Sequence, residues 1–270
     1  NIVGGISYNE KFGSVALKVD LSRRAVMDSL LSYAGTTDDR TGQRWGGVVA
    51  TGGRGEIGVE EGGFGVYGYG AFHVLSGRNV VRNNRFEGGA GAYYKLIRDE
   101  DQELTIGVNL TAIGYSKNLR YYTFGHGGYF SPQRYFSLSL PVEWSGRSGN
   151  LSYKLDGSIG LQSFRENDAP YFPGSSAMQA EWEALAASAA APTGVSWRSF
   201  YPGQTKTGLG FRIGAAAEYR FAPKWLVGGK LSVDNAYSYL QTAGMVYLRY
   251  NFEPSTRPLG FPPNSLRITY

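Results

Sequence analysis

Hydrophobic and polar residues alternate along most of the chain. A clear run places Leu209, Phe211, Ile213 and Ala215 on one side, with small or polar residues between them. A period of two is typical of β-strands, because successive side chains point to opposite faces of a sheet. The pattern predicts eleven strands, at 2–8, 12–22, 47–60, 64–75, 86–97, 102–115, 135–144, 150–163, 208–221, 225–236 and 242–252. Most of them reach the roughly nine to eleven residues that cross a bilayer at a tilt.

The connections between these strands alternate in length. Short turns are predicted at 9–11, 61–63, 98–101, 145–149 and 222–224, and long connections at 23–46, 76–85, 116–134 and 164–207. The last connection, 237–241, is short. Outer-membrane barrels have short periplasmic turns and long extracellular loops. We therefore predict an all-β, antiparallel transmembrane β-barrel over 1–252 and, because the last strand runs inward, a periplasmic tail over 253–270.

The two faces of the predicted strands differ in charge. The polar face carries eight basic and eight acidic residues: Lys18, Arg54, Lys95, Lys154, Arg212, Arg220, Lys230 and Arg249 against Asp20, Glu56, Glu60, Glu87, Glu143, Asp156, Glu218 and Asp234. The apolar face carries no charge away from the turns, as expected of a surface in lipid. A soluble β-sandwich stays open as an alternative, because alternation alone does not say which face is inside. Strand length, loop asymmetry and aromatic residues near the short turns favour the barrel.

Composition removes several other classes of protein. The chain has no cysteine, so disulfides and thiolate catalysis are excluded. The net charge of +5 comes without a Lys/Arg run, which argues against nucleic-acid binding. Of the two histidines, His73 falls on the polar face and His126 in a connection, so neither suits a barrel hydrolase or a metal site. We expect a protein that is not an enzyme and needs no cofactor.

One helix is predicted within the last long connection. An alanine-rich run indicates a helix over 176–190, with Ser175 or Ser176 as its N-cap and Trp182 near its middle. On an extracellular loop this helix would act as a lid over the exit or as a packed decoration, and the sequence leaves both interpretations open.

Motifs in the long connections carry a family resemblance. Arg23 and Arg24 are followed by DSLLSYAG at 28–35, by TG at 41–42 and by WGG at 45–47. Leu75 precedes GRNV at 77–80, and GGYFSPQ follows at 127–133. In this order the motifs closely resemble the C-terminal outer-membrane β-barrel domain of the cellulose exporter family of bacterial cellulose synthase systems.

The resemblance implies a sixteen-stranded outer-membrane barrel that exports the glucan made by an inner-membrane synthase. An odd strand number does not suit a closed single-chain barrel, so we expect further strands upstream, five if the family count applies. The implied partners are the cellulose chain, periplasmic helical repeats of the same polypeptide and the inner-membrane cellulose synthase complex. A location in the bacterial outer membrane adds contact with outer-membrane lipid and lipopolysaccharide.

Aromatic and charged residues of the polar face are the candidate substrate path. Sugar rings stack their C–H groups on aromatic faces, and an equal number of positive and negative charges suits a neutral polymer better than an anionic one. The predicted path consists of Tyr67, Tyr69, Tyr93, Tyr115, Tyr135, Tyr247, Glu143, Asp156, Arg212 and Arg249. Taken singly, each tyrosine could instead only fill the barrel, and the charges could only pair across strands.

The aromatic, glycine-rich connection at 121–133 is the candidate gate. Its predicted gating residues are Tyr121, Tyr122, Phe124, Tyr129 and Phe130. A loop packed permanently over the barrel mouth is the alternative. For the whole protein, a general porin, an exporter of another exopolysaccharide and, with Glu143 and Asp156 as a carboxylate pair, a barrel enzyme are the alternative functions.

Overall fold

Eleven long strands form one antiparallel sheet in which each pairs with the next long strand of the chain. The computed structural model describes residues 2–188, 198–236 and 239–263. In chain order the elements are β1 (Gly4–Phe12), β2 (Val15–Ala25), α1 (Leu30–Tyr33), β3 (Thr36–Thr37), β4 (Arg44–Glu61), β5 (Phe64–Arg78), β6 (Val80–Arg98), β7 (Gln102–Tyr115), β8 (Arg134–Ser148), β9 (Leu151–Glu166), β10 (Ala169–Pro170), α2 (Ser176–Ala187), β11 (Phe200–Tyr201), β12 (Gln204–Ala222), β13 (Trp225–Ala236) and β14 (Tyr239–Tyr250).

This strand order confirms the predicted all-β antiparallel fold and its eleven long strands. The sheet runs β1-β2-β4-β5-β6-β7-β8-β9-β12-β13-β14, with β3 paired to β4 and with β10 and β11 paired separately. Among the described residues no ladder joins β1 to β14, so the sheet is open. We call these eleven strands the wall. No helix in the described parts of the chain is long and apolar enough to cross a membrane.

Several strands extend further toward the long connections than predicted. The long connection predicted at 76–85 is wrong, because β5 and β6 continue to a tight turn at Asn79, whose φ is 51°. Most residues beyond the apolar band here are polar, among them Arg78, Asn83 and Asn84. Hydrophobic alternation therefore stops at the edge of the band while the hydrogen-bonded ladder continues.

Two predicted turns are also displaced. Residues 9–11 lie inside β1, where Asn9 pairs with Lys18, and the turn falls at Gly13, whose φ is 61°. Three consecutive polar residues resemble a turn in the sequence but here continue the ladder. The turn predicted at 145–149 is likewise shorter, because β8 runs to Ser148 and β9 starts at Leu151. The short connection predicted at 237–241 falls partly on 237–238, outside the described residues.

The apolar face of the wall is uncovered by the rest of the chain. Large side chains on it are well exposed, including Ile213 at 63%, Phe136 at 60% and Leu161 at 56%. Exposed aromatic residues also follow this face near the short turns: Tyr8, Phe12, Trp144, Tyr219, Phe221, Trp225, Tyr250 and Phe252. The buried hydrophobic residues of the described chain lie mostly elsewhere, at the end of the wall where the long connections are.

The long connections fold together into a cap. We define the cap as the described residues of 26–43, 116–133 and 167–203. Leu31, Trp45, Phe124 and Phe172 form one buried cluster, against which Met178 and Trp182 pack. Val48, Leu75, Leu119 and Tyr129 form a second one. The cap thus forms a hydrophobic core together with the adjoining ends of β4 and β5, whereas the apolar face of the wall has no such cluster among the described residues.

Two short helices belong to the cap. The predicted helix is confirmed as α2, with Ser175 as N-cap accepting from the amide of Met178, while 189–190 lie outside the described residues. Helix α1 was not predicted. It is a single turn held by a reciprocal capping box between Ser29 and Ser32, which a periodicity search cannot detect in four residues.

Candidate functional site

Charges on the polar face are paired with one another, within a strand, between neighbouring strands or across one intervening strand. Lys154 Nζ lies 2.5 Å from Glu143, Arg212 lies 3.5 Å from Asp156, and Arg249 lies 2.9 Å from Glu218. Further pairs join Arg54 to Glu56 and Glu87, Arg85 to Glu87, and Lys95 to Glu60 and Glu103. All four charged residues of the predicted path therefore have an ionic partner, and the resulting surface is polar without a dominant sign.

Three of the predicted tyrosines lie together on β5 and β6. The rings of Tyr67 and Tyr93 are 6.5 Å apart. The hydroxyl of Tyr67 donates to Asn109 at 3.1 Å, and that of Tyr93 donates to Glu60 at 2.7 Å. Tyr69 differs from them, because the guanidinium of Arg54 stacks on its ring at 3.6 Å. Tyr67 and Tyr93 are thus better placed than Tyr69 to offer a ring face to a ligand.

Each of these rings lies across a glycine of the neighbouring strand. Tyr67 pairs with Gly91, Tyr69 with Gly89 and Tyr93 with Gly65, and a Cβ on any of the three glycines would collide with the ring opposite. Tyr153 over Gly146 and Tyr247 over Gly228 repeat the arrangement. The absent Cβ lets an aromatic ring lie flat on the sheet and shield the exposed backbone. The tyrosines therefore line the wall rather than project from it.

The other three predicted tyrosines are not part of this group. Tyr115 packs 6.0 Å from Tyr129 at the base of the cap. Tyr135 donates to Gln162 at 3.3 Å and meets the edge of Phe130 at 6.4 Å. Tyr247 lies on β14, at the far end of the strand order. The six tyrosines thus divide into a wall group, a cap group and a single residue.

The candidate gate is a tightly packed part of the cap. Tyr129 is 1% exposed and Phe124 is 7% exposed, whereas Tyr122 is 66% exposed. Phe130 is at the border of exposure, with its amide donating to Asp28 at 2.9 Å. Burial raises the pKa of Tyr129 and also that of Asp28, whose hydrogen bond from Phe130 acts in the opposite direction. The five predicted gating residues therefore include both core and surface side chains.

A stack of aromatic rings joins the connections of the cap. Tyr121 stacks on Tyr201 at 3.7 Å, and Tyr201 stacks on Tyr171 at 4.1 Å. His126 is fully buried against the edges of Tyr121 and Tyr201, and its Nε2 donates to the carbonyl oxygen of Pro170 at 2.9 Å. Burial lowers the pKa of His126 to about 4. The histidine is therefore neutral at pH 7 and holds two connections together.

The tail contacts the polar face at the short-turn end. The carbonyl oxygens of 257, 259 and 260 accept hydrogen bonds from Arg220 at 2.7 Å, Arg147 at 3.3 Å and Ser152 at 2.9 Å. Proline-rich chain cannot extend a ladder, but its carbonyl oxygens remain free to accept. The described part of the tail thus folds back onto this face, while 264–270 lie outside the described residues. The sequence left this position undecided.

Periodicity could not find the glycine partners of the tyrosines, the α1 turn or the arginines that hold the tail. A sequence signal for the glycine partners was present, because Tyr67 and Tyr69 on one strand face the glycine-rich segment 88–91 on the next strand. Using it required the strand register, which depends on the turn position. The residues that hold the tail are long-range contacts without a local signature.

Comparisons with known proteins identify a family. The family model described as "Cellulose synthase operon protein C C-terminus" matches residues 1–253. A protein of Pseudomonas fluorescens (strain SBW25) named cellulose synthase operon protein C is 40% identical over 272 residues, covering all of this chain and 20% of the relative. A protein of the same name from Xanthomonas axonopodis pv. citri (strain 306) is 40% identical over 277 residues, covering all of this chain and 18% of the relative. The chain spans about a fifth of these relatives' length.

A solved structure is also similar in outline. It is named "Bacterial polysaccharide outer membrane secretin" and matches 92% of this chain and 69% of its own, with a TM-score of 0.48 and 11% identity. A likeness at this level carries no argument about function.

Proposed function

Because this chain belongs to the family of cellulose synthase operon protein C C-termini, we propose that it forms an outer-membrane channel for a neutral polysaccharide, most specifically cellulose. The polymer would pass from the periplasm to the cell surface. This membership confirms the resemblance found in the loop motifs. No bond is made or broken in the proposed process, which requires only a hydrated path and a driving force from synthesis elsewhere.

The two-faced wall is the observation that carries the proposal. An apolar face with Ile213 63% exposed and Leu161 56% exposed is unstable in water and suits the hydrocarbon region of a bilayer. The opposite face carries ion pairs and polar side chains that need water. A membrane protein of strands must satisfy its backbone between strands, and every strand between β1 and β14 is paired on both sides.

The proposed path uses the partly buried rings of Tyr67 and Tyr93 and the paired charges around them. A neutral glucan can stack on a ring and exchange hydrogen bonds as it slides. Paired charges keep the surface hydrated but leave little field to retain a polymer. Glu143, Asp156, Arg212 and Arg249 contribute to this balance in the proposal, each through an ionic partner on another strand of the wall.

The cap is the proposed gate in its closed state. Its core would stay intact when the gate moves, because Phe124 and Tyr129 are buried in separate clusters. The exposed Tyr122, together with Phe130 and the stacked Tyr121, would meet the emerging polymer. We also propose that periplasmic helical repeats of the same polypeptide and an inner-membrane synthase complex deliver the chain, in line with a family named for a cellulose synthase operon.

Export by cells that carry ring variants tests the proposal. Tyr67→Leu/Tyr93→Leu removes both rings while keeping apolar cover over Gly91 and Gly65, and Tyr67→Phe/Tyr93→Phe keeps the rings. We expect cellulose at the cell surface to fall severalfold with the leucine pair and to stay near the wild-type level with the phenylalanine pair. The matched control is Tyr94→Leu/Tyr219→Leu on the apolar face, where both residues are 48% exposed.

Insertion into the outer membrane is measured in parallel for every variant. Unchanged export by an inserted leucine pair would contradict the proposed sugar path. In planar bilayers, a current that cello-oligosaccharides do not affect would favour a general porin.

A further inference from the structure

A groove runs along the apolar face of the wall, with phenylalanine side chains on both sides. Phe72 and Phe86, with ring centroids 4.9 Å apart, form one side, and Phe136 forms the other. Its floor consists of small residues on neighbouring strands, namely Gly70, Gly88, Ala112 and Gly114. The volume of the groove is about 720 Å³. Small residues between large ones leave a depression that a flexible hydrocarbon chain can fill.

Two arginines stand side by side at the end of this groove nearest the cap. Arg134 lines the groove, and Arg165 is its direct partner in the ladder between β8 and β9. Both side chains are exposed, and within the described chain no carboxylate lies within ion-pair distance of either guanidinium. Like charges directly opposite each other destabilise a strand pair. An anion from outside the described chain would remove the repulsion between these two arginines.

Neighbouring carboxylates are already engaged. Glu166 lies 2.5 Å from Arg120, and Asp168 accepts from the amide of Gly203 at 2.5 Å. Basic character continues along the same rim, where Lys117 donates to the carbonyl oxygen of Arg82 at 3.1 Å. The cap end of the apolar face is thus positive directly above an apolar depression.

We propose that the groove binds the phosphorylated lipid of the outer leaflet, the lipid A part of lipopolysaccharide. An acyl chain lies over Gly70 and Gly88, and a phosphate bridges Arg134 and Arg165. This rests on the proposed function, because it needs the apolar face in a membrane and the cap at the cell surface. A phosphate offers each guanidinium a charge-assisted, bidentate partner and removes the repulsion between them.

Lipid retention by the purified full-length protein tests this site. The detergent-extracted protein is incubated with lipid A, with phosphatidylcholine and with inorganic phosphate, and bound molecules are counted by native mass spectrometry. We expect lipid A to be retained, and Arg134→Gln/Arg165→Gln to lower its affinity about tenfold or more. Arg98→Gln/Lys224→Gln, near the short turns, is the matched loss of two charges and leaves lipid A binding unchanged.

A second variant tests the groove independently of charge. A Cβ at Gly70 meets no atom within 4 Å, so a side chain at this position has room to leave the backbone, and Gly70→Leu places a large apolar group in the depression. We expect it to weaken lipid A binding severalfold. Equal lipid A retention by wild type and Arg134→Gln/Arg165→Gln would overturn the proposal, as would equal retention of phosphatidylcholine. Binding of inorganic phosphate that lipid A does not displace would show a free-anion site and overturn it too. Cellulose export is measured separately, so a failed lipid site leaves the channel proposal intact.

Discussion

The cap buries a phenylalanine side chain, whereas the wall leaves one exposed. Phe124 in the cap is 7% exposed and packs against Trp45 at 6.0 Å. Phe136 in the wall is 60% exposed and packs against little of its own chain. The cap therefore resembles the interior of a water-soluble domain, whereas the wall presents its apolar side chains to its surroundings. Stability in the cap comes from the chain itself, and stability of the wall's apolar face depends on what covers it.

Polar groups show the same contrast. In the cap, Ser131 is fully buried and accepts from the amide of Leu119 at 2.8 Å, and His126 is fully buried against Pro170. In the wall, most charged side chains stay partly exposed and pair with one another, as Lys154 and Glu143 do, although Glu218 is buried. Buried polar groups must be satisfied individually, while exposed pairs contribute little each. Changes in the cap should therefore have larger effects than matched changes in the wall.

The largest expected difference is between two phenylalanine truncations. Phe124→Ala removes a buried ring and should destabilise the cap by about 3–5 kcal/mol. Phe136→Ala removes a ring that is 60% exposed and lies outside the cap. We expect hydrogen exchange at cap amides to accelerate about a hundredfold or more in the first variant and to stay unchanged in the second. The measurement is exchange of 118–131 by mass spectrometry.

Similar acceleration in both variants would mean that cap and wall open as one unit. The comparison between a self-sufficient cap and a dependent wall would then fail.

The wall could be predicted from sequence because its signal, the alternation of apolar and polar residues, lies within each strand. Alternation such as Leu209, Phe211 and Ile213 reports which face meets an apolar medium, and it located all eleven long strands. It failed where the ladder continues beyond the apolar band, as around Asn79, and where a polar run such as 9–11 stays in a strand. Alternation therefore reports which residues meet an apolar medium, and it does not report where the hydrogen-bonded ladder ends.

The candidate site was predictable only in part. The alternation of apolar and polar positions along each strand placed Tyr67, Tyr69 and Tyr93 correctly on the polar face. It could not show that Arg54 covers Tyr69, because that contact depends on strand register. The packing of the cap was beyond prediction for a related reason: Trp45 at the start of β4 and Phe124 in the cap are in contact although they lie far apart in the chain.

The second expected effect concerns acid. The pKa of His126 is about 4 in the folded cap and about 6.5 in an unfolded chain, so the unfolded state binds more protons between these values. The stability contribution is fully present above about pH 6.5 and falls as the pH drops toward 4, by at most about 3 kcal/mol. We expect cap exchange, corrected for its intrinsic pH dependence, to accelerate over this range, while wall amides change little.

His126→Gln is the control for this titration. Glutamine can still donate to the carbonyl oxygen of Pro170 but does not titrate, so the acid-dependent loss should disappear. Asp28, whose pKa is raised by burial, acts in the opposite direction in both proteins and cancels in the difference between them. An unchanged pH profile in His126→Gln would show that another group governs the cap.

The smallest expected effect distinguishes two glycines of one strand. Gly65 faces the ring of Tyr93, where an added Cβ would collide, whereas a Cβ at Gly70 meets no atom within 4 Å. Gly65→Ala should destabilise the wall by about 1–3 kcal/mol through overpacking, and Gly70→Ala should stabilise it by about 0.5–1 kcal/mol. Unfolding midpoints in guanidinium chloride measure both. Adding Tyr93→Ala to Gly65→Ala should then cost less than the two single changes predict together, because the clash is gone. Simple additivity would mean that the ring of Tyr93 does not lie on Gly65, and this close-packed feature of the wall would be lost.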